Sequence, residues 1–100
     1  DVDFPPLSLT LMYLHLDLEN SNLDSLPYCR NLKHLRIENY YRGILDLRSY
    51  SSLDTLELIK VEIVDFTYIN PCRKLLIHFP LDVLHSENMC EYEQIDFKQV

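Results

Sequence analysis

Apolar and polar residues alternate in short bursts along this chain, and the bursts recur at a fixed interval. In Leu32-Lys33-His34-Leu35-Arg36-Ile37 the apolar places are the first, fourth and sixth. The same spacing falls at Leu11, Leu14 and Leu16, at Leu53, Leu56 and Leu58, at Cys72, Leu75 and Ile77, and at Tyr92, Ile95 and Phe97. First places at 11, 32, 53, 72 and 92 give steps of 21, 21, 19 and 20 residues. Alternation with period two predicts a strand in each burst. A period near 20 residues predicts stacked repeats, because no single repeat can bury its own apolar face. Strands are expected near residues 13–17, 34–38, 55–59, 74–78 and 94–97.

A second apolar pair follows each burst: Leu23 and Leu26, Ile44 and Leu47, Ile63 and Phe66. Its second member precedes the next central strand leucine by nine residues each time, from 26 to 35, 47 to 56 and 66 to 75. In the fourth repeat Leu81 with Leu84 takes this place, and His85 to Glu91 is polar and irregular. Each of the first three connectors holds a tyrosine (Tyr28, Tyr50, Tyr68) and is broken by proline or serine. Such segments are too short for regular helix. The far side of the stack is therefore expected to hold turns and short 3₁₀ pieces, with a tyrosine covering the apolar pair. In the first repeat six alternating leucines leave the register open: either Leu14 and Leu16 or Leu16 and Leu18 point inward. Phe4-Pro5-Pro6-Leu7 sets an extended lead-in.

These triads resemble leucine-rich repeats, and the resemblance covers nearly all 100 residues. It implies an α/β-class solenoid, residues 1–100 forming one domain of about five short repeats, with a curved parallel sheet on the concave side and little regular helix. Leu16-x-Leu18-x-x-Ser21-x-Leu23-x-x-Leu26-Pro27 follows the family pattern with serine in the asparagine place. At the place of the family's asparagine ladder stand Glu19, Tyr40, Val61, Pro80 and Val100, with Asn20 and Asn39 one residue early. Cys29-x-x-Leu32-x-x-Leu35-x-Ile37 resembles the repeats of F-box substrate adaptors of ubiquitin ligases, and the Leu26-Pro27 ending resembles short-repeat bacterial effectors. The resemblance implies a protein partner bound on the concave face.

Residues between the inward leucines point to that face. One row is His15, Arg36, Glu57, Leu76 and Asp96; the next is Asp17, Glu38, Ile59, His78 and Lys98. A flanking row is Tyr13, His34, Thr55, Lys74 and Gln94. Ile59 and Leu76 are apolar on a face expected to be wet, with charged residues around them, as in a small interface centre with a polar rim. The plainer reading is a row of solvated strand residues, in a scaffold whose face binds nothing specific.

Composition narrows the partners. The formal charge is −7, which gives no pull toward phosphates, so neither nucleic acid nor an anionic membrane surface is expected. No apolar run is long enough to span a membrane. Three widely spaced cysteines (Cys29, Cys72, Cys90) make no disulfide framework, which favours a reducing, intracellular and cytoplasmic setting. Cys29 and Cys72 fall near apolar repeat places and read as small core residues. His15 and His34 lack a fixed third ligand, so no metal site is expected. The lone Gly43 excludes a glycine-rich phosphate loop, and the acidic residues define no acid–base pair. Neither a cofactor nor enzymatic activity is expected. The stack shows no closing element, so more repeats or a cap beyond it, and self-association through open ends, are expected.

Overall fold

The computed structural model of the protein describes residues 12–19 and 31–99, apart from the side chains of Met89 and Cys90. The lead-in at Phe4–Leu7, the pair Leu23 and Leu26, Ser21, Tyr28, Cys29, Asn20 and Val100 lie outside the described residues. Six strands form: β1 (Tyr13–Asp17), β2 (His34–Ile44), β3 (Thr55–Asp65), β4 (Lys74–His78), β5 (Asp82–Leu84) and β6 (Gln94–Lys98). All neighbours are parallel, in the order β1-β2-β3-β4-β6, with β5 beside the second half of β3. The result is a β-solenoid with almost no helix.

The register follows the sequence period. Leu14, Leu35, Leu56, Leu75 and Ile95 stack as one ladder, and Leu16, Ile37, Leu58, Ile77 and Phe97 as the next. In the three middle rungs these residues are 0–1% exposed. The pairing of Leu14 with Leu35 settles the first repeat on the choice of Leu14 and Leu16 inward, with Leu18 also packing on the core. Leu32, Leu53, Cys72 and Tyr92 pack into the same core ahead of each strand.

The far side differs from expectation. The chain does not break into turns after the first strand segment; it bends and continues as a second parallel segment. Asn39, Lys60 and Phe79 occupy one equivalent position and all have φ near +60°. A left-handed residue turns the strand direction sharply while leaving the next residue free to resume pairing. Beyond it Tyr40 pairs with Val61, Ile44 with Ile63, and Ile63 with Asp82. Period-two counting misses this, because the corner advances the inward places from 37, 58 and 77 to 40, 61 and 80. Tyr40 packs on the core, and Val61 and Pro80 are buried. Apolar side chains thus fill the place where a leucine-rich repeat would put its asparagine ladder. Backbone tethering falls instead to Asn70, whose Nδ2 donates to the carbonyls of Arg48 (2.7 Å) and Tyr50 (3.3 Å) in the preceding turn.

The same corner corrects the second apolar pair. Leu47 and Phe66 are buried. Their expected companions are not: Ile44 is 41% exposed and Ile63 half-buried, and in the fourth-repeat pair Leu81 is 71% exposed and Leu84 half-buried. Leu45, Val64 and Val83 pack on the core in their stead. Tyr50 is buried outright, while Tyr68 is half-buried beneath the Arg48 guanidinium, 4.6 Å from its ring centre.

Unequal repeat lengths have a local cause. Tyr40 to Val61 is 21 residues but Ile44 to Ile63 is 19, so the two extra residues sit between Tyr40 and Ile44, where the ladder slips. Gly43, at φ +90°, lies in that bulge and donates its N–H to Glu62 Oε1 at 2.8 Å. A bulge of this kind absorbs insertions without disturbing the flanking register. The later extra residue lies between β5 and β6, where a 3₁₀ turn spans Ser86–Glu91. A shorter 3₁₀ turn, Phe66–Tyr68, is capped by Asp65, which accepts from Thr67 N at 2.9 Å.

Candidate functional site

The outward face of the long sheet carries the three rows in the order read from the sequence. Tyr13, His34, Thr55, Lys74 and Gln94 align across the strands, as do His15, Arg36, Glu57, Leu76 and Asp96, and then Asp17, Glu38, Ile59, His78 and Lys98. Register alone makes these rows, since each rung repeats the last one strand spacing away.

The first three strands hold a connected ionic network. Arg36 Nη1 donates to Glu57 Oε1 at 2.7 Å and Arg36 Nε donates to Glu38 Oε2 at 2.9 Å. His15 Nε2 donates to Glu38 Oε2 at 2.5 Å, and His34 Nε2 donates to Glu57 Oε2. Both histidine–glutamate contacts are diagonals of the same offset, 23 residues. One guanidinium between two carboxylates leaves a net negative charge when the imidazoles are neutral. The hydrogen bond from Arg36 holds the Glu38 carboxyl below its usual range, and the same contact raises the Arg36 guanidinium. Below the network Asn39 Nδ2 donates to Asp17 Oδ1 at 2.9 Å and keeps Asp17 ionised. Asn39 was absent from the sequence-derived rows because its left-handed backbone takes it out of the alternation; the sole signal was its place, one residue ahead of the expected asparagine.

Next to the network the face turns apolar. Ile59 and Leu76 are diagonal neighbours on β3 and β4, each half-buried by surrounding side chains. His78 lies opposite Ile59, with its Nε2 3.2 Å from Asp96 Oδ2. That contact is close enough for an ion pair but misaligned for a hydrogen bond, and Nε2 is otherwise unpartnered. A shallow groove of about 380 Å³ runs over β3, β4 and β6, lined by Thr55, Glu57, Lys74, Leu76, Gln94 and Asp96 with the edges of Leu75 and Ile95. Nine of the ten candidate residues fall in two neighbouring zones: His15, Arg36, Glu38 and Glu57 in the network with Asp17 just below it, and Ile59, Leu76, His78 and Asp96 around the apolar patch. Lys98 stands at the edge of β6.

Away from this face, Cys72 is a free buried thiol whose Sγ donates to Lys74 O at 3.3 Å. Burial pushes its pKa up to about 11, which leaves it protonated and a poor nucleophile at neutral pH. Among the described residues no three histidine, cysteine or acidic side chains are grouped to hold a metal ion. Nor is any helix long and apolar enough to cross a membrane. Comparison of the chain with family models, curated proteins and solved structures finds no match. The class defined by the fold itself is a parallel β-solenoid.

Proposed function

We infer that this chain is a non-catalytic protein-interaction module of leucine-rich-repeat type, which takes its partner on the outward face of the long sheet. The observation that supports this reading is Ile59 and Leu76, apolar residues on an outward sheet face beside the ionic network, with Leu76 also lining the groove. Both are half-buried in the chain alone, so each keeps apolar area that only a partner would cover. Burial against a partner would gain about 25 cal/mol for each Å². The charged side chains beside them are already hydrogen-bonded to one another within the chain.

The likeness of residues 29–37 to F-box adaptor repeats favours the substrate-recognition part of a ubiquitin-ligase adaptor as the finer assignment. The free, buried Cys72 fits the reducing interior in which such adaptors act. A second reading, a structural or regulatory scaffold with no ligand of its own on this face, draws on the network itself: Arg36, Glu38, Glu57, His15 and His34 already satisfy one another within the chain.

The test is the double variant Ile59→Asp/Leu76→Asp, assayed by capture of partners from lysate beside a thermal melt. A binding face gives a protein that still melts cooperatively, at a lowered midpoint, and capture at a temperature where it is folded weaker by about tenfold or more, or about 1.4 kcal/mol. Equal capture by both proteins rejects the face as a binding site and favours the scaffold.

A further inference from the structure

We propose that the partner segment taken by the outward face carries a basic, an apolar and an acidic side chain, in that order, at alternate places of an extended chain. The proposal rests on this face being the docking face. Its ground is the row Asp17, Glu38, Ile59, His78 and Lys98, which the register lays across β1, β2, β3, β4 and β6. That row is acidic at one end, apolar in the middle and basic at the other end. Leu76 of the neighbouring row lies diagonal to Ile59 and widens the apolar middle.

Among the described residues both ends of the row hold unpaired charge. Asp17 is exposed, and the side chain that bonds it is the neutral amide of Asn39, 2.9 Å away. Glu38 shares the Arg36 guanidinium with Glu57, so three carboxylates at this end stand against one cation while the imidazoles are neutral. At the other end Lys98 is exposed and makes no ion pair with a described residue, nor does Lys74 one strand away. Asp96 is the carboxylate that stands with these two ammonium groups on the outward face of β4 and β6.

The spacing of these zones selects the order and the interval. Strands lie about 4.8 Å apart, so Ile59 is about 7 Å from the midpoint of Asp17 and Glu38 and about 7 Å from the midpoint of His78 and Lys98. Two residues of extended chain cover about the same distance. A segment crossing the strands therefore seats a lysine or arginine between the two carboxylates, an apolar side chain on Ile59 and Leu76, and a carboxylate beside Lys98. A wholly basic segment loses the contact at Lys98, and a wholly acidic one loses the contact at Asp17 and Glu38. The ladder hydrogen bonds of the sheet lie in its plane, so side chains alone make the contact and each charge weighs in the affinity.

The probes are three capped peptides built on a central leucine with serine as filler. Two places to either side of the leucine they carry lysine and glutamate, lysine twice, or glutamate twice. Titration of the methyl-labelled full chain at pH 8, above the ordinary histidine range, is followed by the methyl signals of Ile59 and Leu76. The expected result is binding in the millimolar range, with the lysine–glutamate peptide about fivefold tighter than the other two. Lys98→Glu shifts the preference toward the double-lysine peptide, and Asp17→Lys shifts it toward the double-glutamate peptide. A circular dichroism melt of each variant separates loss of preference from loss of fold. Peptides that leave both methyl signals unmoved overturn the proposal, as does a preference indifferent to both single changes. Equal binding of the three peptides at Ile59 and Leu76 overturns the charge order and leaves the docking face standing. Loss of the docking face itself is read separately, as unchanged capture from lysate by Ile59→Asp/Leu76→Asp.

Discussion

Arg36 and Glu57 face each other from adjacent strands in the same row, with Nη1 and Oε1 2.7 Å apart. Their side chains remain 31% and 15% exposed, so water and salt screen the pair. Arg36→Ala is therefore expected to cost only about 0–1 kcal/mol in a urea titration. A loss well above that would mean that the network holds the sheet together and does not merely decorate it.

The core behaves oppositely. Leu56 sits in the middle rung, wholly buried between Leu35 and Leu75. Truncation to alanine removes buried methyl groups and leaves a cavity that the stacked neighbours cannot fill, so the expected cost is about 2–5 kcal/mol. Ile44, one member of the apolar pair in the sequence pattern, is 41% exposed on the outer side of the bulge. Ile44→Asp is expected to change stability by no more than about 0.5 kcal/mol. Denaturation midpoints of the two variants, measured together, separate the true core from the apparent one.

That contrast shows what the sequence could and could not carry. Strand placement and register were legible because Leu35, Leu56 and Leu75 repeat in a place where both spacing and burial are rigid. The second sheet segment was not, because its inward places depend on one left-handed residue per corner. Asparagine at 39 hints at that conformation, but lysine at 60 and phenylalanine at 79 give no such sign. The bulge at Tyr41–Gly43 then hid the ladder of Leu45, Val64 and Val83, since its two extra residues shift the count in a single repeat. On the outward face the rows were readable from period alone. The diagonal bonds that tie His15 to Glu38 and His34 to Glu57 depend on side-chain reach, which spacing does not fix.

Acid and base limits of stability are expected to report on Asp65 and His85. Asp65 is 4% exposed, caps the Phe66–Tyr68 turn and accepts from His85 Nδ1 at 2.8 Å. Burial works against its ionisation, but the bonds from His85 and Thr67 outweigh this and hold the carboxyl below its ordinary value of 3.8. The Asp65 bond raises His85 above its ordinary 6.5. The imidazolium thus stabilises the fold fully below 6.5, and this contribution disappears as pH rises through the raised value. The carboxylate contributes above 3.8 and is lost as pH falls through its lowered value. The difference in melting temperature between the protein and His85→Ala should be largest between those limits and shrink as pH rises through the raised His85 value. A difference that does not vary with pH would show that His85 contributes packing alone.

The corners make the most discriminating prediction, because two substitutions should act in opposite directions. Lys60 is exposed at φ +56°, a conformation that costs an L-residue about 1–2 kcal/mol. Lys60→Gly removes that strain but adds about 0.4–1 kcal/mol of unfolded-state freedom. Strain is the larger quantity, so the variant is expected to be more stable by about 0.5–1 kcal/mol. Gly43 is at φ +90° in the bulge, and an added Cβ would meet nothing within 4 Å. The penalty of Gly43→Ala is therefore backbone strain alone, and the variant should lose about 1 kcal/mol. Urea midpoints of both variants, taken at one pH with unchanged slopes, read the two signs. Shifts in the same direction would mean that the left-handed residue at position 60 is not the device that turns the strand.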